Sequence, residues 1–246
     1  EFRRVLFRSR ALSSPDQGLA RELVLGVTRW RSAIDWIIAL KTDGRPQRPA
    51  VQHLLRLGVY QLFWLDRVPD HAAVHETVQI ARDAGFQSQA GFINAVLRGC
   101  IRERDSIRDR LAALQVGDPA TGWSHPAWLV ERWSGRWTAP EVCALLRWNN
   151  TPPGVFVRIN TLKATPDAVL EEWRLEGVEH RPVARDWLPP GMAYELTVHQ
   201  SIAWLESFRK GWFYVQDPST LLAVLLLDPQ PRSEEHTSEL QSRGLI

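Results

Sequence analysis

The sequence predicts a helical bundle followed by a smaller α+β region. In the first half, apolar residues recur at steps of three and four, which is the period of a helix with one buried face. From Val155 onward they alternate with polar residues, which is typical of a strand. The 246 residues suffice for one large or two modest domains, and a hydrophobic content of 44% is ordinary for a globular protein.

The helices of the first half have recognisable ends. Ser14 as N-cap and Pro15 at the first helical position predict a helix that continues to about residue 37. Gly85 is a suitable C-terminal stop for the third helix. The stretch from Gly117 to Gly122 predicts a linker. The remaining helices are predicted over residues 49–65, 72–84 and 90–114.

The second half mixes short helices with strands. A short helix is predicted over residues 128–133, and a capping box at Thr138 opens another to residue 148. Strands are predicted over residues 155–159 and 212–215, with a helix ending at Gly177 between them. Asp217 caps a last apolar helix that runs to Leu227.

Composition excludes several classes of protein. A net charge of +2 does not indicate a nucleic-acid partner, so any basic surface must be local. The two cysteines exclude a disulfide framework and a four-cysteine zinc site, and they suit a reducing cytoplasm. No apolar run reaches membrane-spanning length, and no glycine-rich phosphate loop is present. Four tryptophans predict aromatic core packing in one region: Trp128, Trp133, Trp137 and Trp148.

The two ends of the chain are antisense copies of each other. With suitable codons, the reverse complement of the DNA for residues 1–9 translates in frame as residues 232–240, pairing Glu1 with Leu240 and Ser9 with Arg232. A DNA adapter ligated to both ends of an insert produces this relation. We therefore expect residues 1–9 and 232–246 to be adapter-derived and the informative sequence to span residues 10–231.

Isolated residues give weak signals for chemistry. His71 and His75 could share a helix face, but no third ligand is in sight, so we expect no metal site. Cys100 and Cys143 lie within apolar helical patterns, away from helix N-termini, and are expected to be core residues rather than nucleophiles. No catalytic residue is predicted in this chain.

Arginines are the candidates for contact with RNA. Arg98 and Arg102 lie on the fourth predicted helix with Arg104, Arg108 and Arg110, and acidic residues are interleaved with them. Arg29 and Arg31 flank Trp30. Phosphate contact and a solvated helix face both explain these patterns. The residues alone leave the choice open.

Eight segments in order resemble one bacterial family. The most specific helical segment is GFINAVLR at residues 91–98, and GWFYVQDPS at residues 211–219 is a second marked segment. The others are residues 20–30, 55–62, 68–78, 124–129, 157–163 and 227–231. This set resembles the small-subunit ribosomal RNA cytosine-C5 methyltransferases of the Sun/Fmu type. His75 stands where the family more often has asparagine.

The resemblance implies a NusB-like helical domain over residues 10–116, linking and bridging helices over 117–154, and an α+β subdomain over 155–231. It implies RNA contacts by Arg158, Asn160 and Lys163. The family continues into a Rossmann-like domain that holds S-adenosylmethionine and two cysteines, one of which attacks C6 of cytosine to activate C5. We expect this chain to be a fragment without that domain, to bind no cofactor and to be inactive by itself.

Two other functions remain open. A non-enzymatic NusB-like RNA-binding antitermination factor fits the helical half, although the region after Trp123 argues against it. A helical scaffold without an RNA role is the third reading. The expected partner is ribosomal RNA, with no membrane and no metal, for a cytoplasmic monomer. The apolar residues from Leu221 to Leu227 would be partly uncovered, which predicts poor solubility.

Overall fold

The computed structural model describes residues 13–197 and 202–228, and the predicted adapter-derived ends lie outside these ranges. The described chain forms two compact units, divided between Pro152 and Pro153. The helices of the first unit are α1 (Ser14–Arg29), α2 (Arg31–Thr42), α3 (Pro49–Trp64), α4 (Asp70–Asp83), α5 (Gln87–Arg102), α6 (Arg104–Gly117), α7 (Pro119–Gly122), α8 (Ala127–Ser134) and α9 (Ala139–Asn149).

The core of the helical unit is mainly aliphatic. Ile34 and Ile37 of α2, Leu55 of α3 and Ile93 and Leu97 of α5 are fully buried in one cluster. The predicted helical periods over α3 and α4 are confirmed, and Gly85 adopts the left-handed conformation expected after a helix, with φ +85°.

The prediction of one long first helix was wrong. The N-cap is Ser13 rather than Ser14, and the helix ends at Arg29 because Trp30 leaves the helical conformation. The backbone N–H of Ala33, in the first turn of α2, donates to the Ser124 hydroxyl at 2.9 Å. Since a new helix start needs partners for its free N–H groups, this remote hydroxyl helps to stabilise the break.

The predicted fourth helix is also two helices, divided at Glu103. Here Glu103 pairs with Lys41 of α2 at 2.5 Å, and Arg104 pairs with Asp70 at the start of α4 at 2.5 Å. Both partners are distant in sequence, so the continuous helical pattern across residues 90–114 could not reveal the break.

The predicted linker at Gly117–Gly122 contains the short helix α7, which Asp118 caps by accepting from the Thr121 N–H. Gly122 packs so closely on α6 that an added Cβ would lie 2.6 Å from the Cα of Gln115. The capping box at Thr138 is confirmed by the bonds between Thr138 and Glu141.

The expected aromatic core around the four tryptophans is mostly absent. Trp128, Trp137 and Trp148 are exposed, and only Trp133 packs on the local core, which is formed by Trp123, Val130, Val142 and Leu146. The reason is helical phase. Trp148 lies two residues after the buried Leu146 and is therefore about 200° around the helix from it.

The second unit is a four-stranded antiparallel sheet with helices. Its strand order is β2-β3-β1-β4, and every neighbouring pair is antiparallel. β1 and β2 therefore run in the same direction with β3 between them, and β3 and β4 run in the same direction with β1 between them. This is the split βαβ arrangement of ferredoxin-like folds. The elements are β1 (Val155–Ile159), α10 (Pro166–Leu175), β2 (Glu179–Pro182), β3 (Ala193–Thr197), α11 (Glu206–Arg209), β4 (Phe213–Val215) and α12 (Leu221–Leu227), with 3-10 turns at Ile202–Trp204 and Pro218–Thr220.

The core of the sheet unit is built around a tryptophan. Trp173 of α10 is fully buried, and its ring meets those of Tyr194 and Phe213 edge-on at 5.5 and 5.4 Å between centroids. The predicted alternation in β1 is confirmed, since Val157 and Ile159 are buried in this core.

The last helix leaves most of its apolar side chains uncovered. Leu221 is buried against Leu188 and Ala193, whereas Val224, Leu226 and Leu227 are exposed. This confirms the expected uncovered surface on α12. Poor solubility of the chain stays a prediction.

Candidate nucleic-acid interface

An arginine and a tyrosine face each other on the sheet unit. Arg158 on β1 and Tyr214 on β4 are direct cross-strand partners, on the face opposite the buried Val157 and Phe213. The Arg158 guanidinium carbon lies 5.2 Å from the centre of the Tyr214 ring, and its Nε donates to the Gln216 Oε1 at 2.8 Å. The cation is thus fixed in position while Tyr214 stays half exposed.

Two lysines extend this basic surface. Lys163, in the loop after β1, is exposed and places its Nζ 3.5 Å from the carbonyl oxygen of Lys210. Lys210 lies over the Trp212 ring, with its Nζ 4.8 Å from the ring centre, and also pairs with Glu172 at 3.1 Å. We refer to Arg158, Lys163, Lys210, Trp212 and Tyr214 as the basic–aromatic patch.

Asn160 holds the patch together instead of facing solvent. It is only 5% exposed. Its Nδ2 donates to the Gly211 carbonyl at 2.9 Å and to the Tyr214 hydroxyl at 3.2 Å, and its Oδ1 accepts from the Leu162 N–H. The amide is therefore buried and already bonded, and it positions Gly211 and Tyr214. The predicted RNA contact by Asn160 stays a prediction.

Sequence reasoning missed Lys210, Trp212 and Tyr214 as members of this surface. Lys210 directly precedes the marked GWFYVQDPS segment, and a lysine next to aromatic residues is a usable signal. The pairing of β4 with β1 brings them beside Arg158, and that pairing cannot be read from spacing.

A second basic surface is a groove in the helical unit, between α4 and α5. Its volume is about 620 Å³. Val74 and Val78 of α4 and Ala90 and Ile101 of α5 form an apolar floor. The polar residues around it are Asp70, His71, His75, Arg82, Asn94, Arg98 and Arg102, with Gly91 completing the lining. We call this the α4–α5 groove.

Positive charge predominates in the groove. Arg82, Arg98 and Arg102 are exposed. The Nε of Arg98 donates to the Asn94 Oδ1 at 3.0 Å, and both residues line the groove. The one carboxylate in the lining, Asp70, is already paired with Arg104. The groove therefore brings together two of the predicted arginines, Arg98 and Arg102, in an environment that suits an anion.

The remaining predicted arginines lie elsewhere. Arg31 is exposed and Arg29 is half-buried, and neither lines the groove. Arg29 is near Tyr60, whose hydroxyl donates to Glu22 at 2.6 Å. Burial, followed by the bond to Glu22, raises the pKa of Tyr60 far above its usual value, while Arg29 opposes this shift. Contact of Arg29 and Arg31 with RNA stays a prediction.

Four side chains were considered for metal binding or nucleophilic chemistry: His71, His75, Cys100 and Cys143. His71 and His75 are exposed and line the groove, and residues 13–197 and 202–228 contain no group of three or more potential metal ligands. Burial raises the pKa of the Cys100 thiol to about 11, so the reactive thiolate is scarce at neutral pH. Cys143 is half-buried, less than expected for a core residue.

Within the same described ranges, no helix combines the length and apolarity needed to cross a membrane.

Two stretches of the chain match family models. Residues 2–102 match the NusB family, and residues 125–189 match the family described as "Methyltr_RsmF/B-like, ferredoxin-like domain". In this order, the two stretches are similar to a NusB domain and to a ferredoxin-like domain of the RsmF/B-like methyltransferases. This confirms the resemblance predicted from the ordered segments.

Three bacterial proteins are similar to this chain over most of its length. The chain is 34% identical over 233 residues to the "Probable ribosomal RNA small subunit methyltransferase B" of Bacillus subtilis, covering 92% of this chain and 49% of that protein. It is 32% identical over 225 residues to the protein of the same name from Synechocystis sp., covering 89% and 49%. The ribosomal RNA small subunit methyltransferase B of Escherichia coli O1:K1 is 32% identical over 236 residues, covering 93% and 51%.

The chain spans about half the length of these curated relatives. Among solved structures, the crystal structure of PH0851 matches with a TM-score of 0.60 at 19% identity, covering 93% of this chain and 51% of that chain. This likeness supports the fold of the described residues.

Proposed function

We propose that this chain is the RNA-binding front part of a longer, S-adenosylmethionine-dependent methyltransferase. The proposed substrate is small-subunit ribosomal RNA and the proposed position is C5 of a cytosine. The single observation that carries the proposal is the basic–aromatic patch, of which Arg158 and Lys163 lie within the stretch that matches the RsmF/B-like methyltransferases. A cytoplasmic monomer is part of the same proposal.

The chemistry of the patch suits single-stranded RNA. Arg158, Lys163 and Lys210 supply cations for backbone phosphates, and the half-exposed Tyr214 ring offers a surface on which a base can stack. Hydrogen bonds to Gln216 and Asn160 fix the arginine and the tyrosine before RNA arrives. Fewer side chains then need to be ordered on binding, which favours affinity.

S-adenosylmethionine does not fit the surfaces described above. The α4–α5 groove is lined by Arg82, Arg98 and Arg102, whose charge has the same sign as the sulfonium. The described residues therefore receive no assigned site for this cofactor. We propose that methyl transfer needs the longer protein and that this chain alone binds RNA without modifying it.

The alternative of a stand-alone NusB-like antitermination factor accounts for the first unit only. The patch lies in the second unit, after Pro153. We therefore favour the methyltransferase reading.

Binding to a transcript of bacterial small-subunit ribosomal RNA, measured at several salt concentrations, tests the RNA-binding part. We expect the triple variant Arg158→Ala, Lys163→Ala, Lys210→Ala to bind at least tenfold more weakly. The slope of log affinity against log salt should fall by about two, given roughly 0.7 per phosphate contact on single strands. Arg185→Ala is the matched control, since Arg185 is exposed in the same unit and, among the residues that the structure describes there, its side chain bonds the neighbouring Ala184 carbonyl alone. Equal RNA affinity of the triple variant and the control would show that the patch does not bind RNA.

The catalytic part is tested with the longer protein encoded by the parent gene. Incubation with labelled S-adenosylmethionine and small-subunit ribosomal RNA should yield 5-methylcytosine, detected by mass spectrometry of the digested RNA. A methylated base other than 5-methylcytosine, or no transfer by a folded protein, would overturn this part.

A further inference from the structure

We infer that the α4–α5 groove is a second RNA-binding site that takes an unpaired nucleotide of a single strand. The inference deepens the proposed function and rests on it for RNA as the ligand. It concerns a different unit from the basic–aromatic patch and a different set of residues. The two can therefore fail separately.

The sequence places the lining residues on two facing helix surfaces. Along α4, His71, Val74, Val78 and Arg82 are separated by steps of three or four, and His75 lies one turn after His71. The contribution of α5 has the same period and consists of Ala90, Gly91, Asn94, Arg98, Ile101 and Arg102. Each helix thus presents a mixed stripe, apolar toward the floor and cationic toward the rim.

The rim suits phosphate. Arg82 and Arg102 lie in the last turns of α4 and α5 and make no ion pair among the described residues. The side chain of Arg98 bonds Asn94 through Nε, so its terminal guanidinium nitrogens can contact a phosphate. The pairing of Asp70 with Arg104 reduces the repulsion that a bare carboxylate in the lining would exert on an anion. Three arginines around one recess can therefore contact successive phosphates of a strand.

The floor distinguishes an unpaired base from a simple anion. Val74, Val78 and Ala90 are buried and border the recess as its apolar floor, and the partly buried Ile101 adds apolar surface to it. The absence of a side chain at Gly91 leaves the groove open, with nothing within 4 Å of an added Cβ. A base within a duplex is stacked and paired, so only its backbone could reach the rim. An unstacked base can enter, and its polar edge finds Asn94, His71 and His75 in the same lining. A volume of about 620 Å³ lies in the range of small-molecule sites.

Filling the groove tests the inference without weakening the fold. Gly91→Leu adds a side chain at a position that lines the groove and has open space around it, and replacing a helical glycine by leucine favours the helix. Gly18→Leu is the matched control, because Gly18 is also helical and exposed, has open space around it, and lies in α1 outside the groove. The probe is a fluorescein-labelled 12-nucleotide oligouridylate, which stays unpaired.

We expect Gly91→Leu to weaken oligouridylate binding at least tenfold while its thermal midpoint is equal to or above that of the wild type. Gly18→Leu should bind within twofold of the wild type. The double variant Arg98→Ala, Arg102→Ala should bind oligouridylate at least tenfold more weakly. Arg108→Ala, which removes an exposed arginine on α6, should leave the affinity unchanged. A duplex RNA of the same length should be less sensitive to Gly91→Leu than the single strand.

Several outcomes would overturn the inference. Unchanged binding by Gly91→Leu, or equal losses in Gly91→Leu and Gly18→Leu, would exclude the groove. Competition by polyaspartate as effective as that by oligouridylate of equal charge would reduce the groove to a general anion surface or a site for an acidic protein. If the patch variants weaken binding and the groove variants do not, the proposed function stands and the groove does not. If the wild-type chain binds neither the ribosomal RNA transcript nor the oligouridylate, the proposed function and the groove site both fail.

Discussion

The two basic surfaces hold their cations in different ways. In the basic–aromatic patch, Arg158 and Lys210 lie over aromatic rings, and the buried Asn160 bonds the strand and loop that carry them. In the α4–α5 groove, Arg82, Arg98 and Arg102 extend from two helices around an apolar floor. The side chains of the patch are therefore preorganised, whereas the groove is a recess surrounded by exposed arginine side chains.

This difference shows how each surface would gain affinity. The patch loses little side-chain entropy on binding, because its rotamers are already restricted. The groove must order its arginines but gains apolar contact area in return. We therefore expect the patch to depend on the core and the hydrogen bonds beneath it, and the groove to depend on its shape.

The largest effect should follow the loss of the core beneath the patch. Trp173→Ala empties the centre of the sheet unit and should cost about 3–5 kcal/mol of unfolding free energy. In urea titrations, the transition of the sheet unit should shift to lower denaturant, and RNA binding by the patch should disappear with it. Trp204→Ala, at an exposed position, is the control and should change neither. If Trp173→Ala were as stable as the control, Trp173 would not be the centre of the core of the sheet unit.

The next largest loss of stability should follow substitution of Gly26, which lies beneath an aromatic ring in the helical unit. A Cβ at Gly26 would lie 2.0 Å from the Tyr60 ring, so Gly26→Ala must displace that ring and its bond to Glu22. We expect a loss of about 1–3 kcal/mol by thermal denaturation. Gly18→Ala in the same helix should instead stabilise by up to about 1 kcal/mol. The same sign for both substitutions would refute the close approach of α1 and α3.

Loosening the patch without removing a cation should have a smaller cost. Asn160→Ala leaves the Gly211 carbonyl without its amide partner and should cost about 1–2 kcal/mol. RNA affinity should fall severalfold, although all three cations remain. Asn149→Ala, at an exposed helix end, serves as the control. Unchanged RNA affinity in a destabilised Asn160→Ala chain would limit Asn160 to a structural role.

The smallest effect concerns the two thiols. The pKa of Cys100 is raised by burial to about 11, so Cys100 should react with iodoacetamide at pH 8 far more slowly than the half-buried Cys143. Because the folded-state pKa lies above the unfolded value of about 9, the buried thiol contributes stability below pH 9, and this contribution is lost as the pH rises through 11. Peptide mass spectrometry with single variants Cys100→Ser and Cys143→Ser would assign the rates. Faster labelling of Cys100 in the folded chain would contradict its burial.

Local signals in the sequence predicted most elements of this fold. The capping box at Thr138, the alternation in β1 and the glycine stop at Gly85 depend only on neighbouring residues, and all three are confirmed. The breaks at Trp30 and Glu103 were missed because they are stabilised by Ser124, Lys41 and Asp70, which are remote in sequence.

The candidate surfaces were only partly predictable for the same reason. Arg98, Arg158 and Lys163 were found as basic residues in marked segments, and Arg102 as a basic residue on the same predicted helix as Arg98. Their neighbours His71, Arg82, Lys210 and Tyr214 join them through helix packing and strand pairing. The burial of Asn160 could not be predicted, because Asn160 directly follows a strand and its partners Gly211 and Tyr214 are remote in sequence.

Ultraviolet crosslinking of the wild-type chain to 4-thiouridine-labelled small-subunit ribosomal RNA, followed by peptide mass spectrometry, tests the two-surface account most directly. We predict crosslinked peptides that contain Tyr214 or Trp212 from the patch and His71 or His75 from the groove, with the groove peptides lost in Gly91→Leu. Crosslinks confined to other exposed aromatic residues, such as Trp128 and Trp148, would contradict the account.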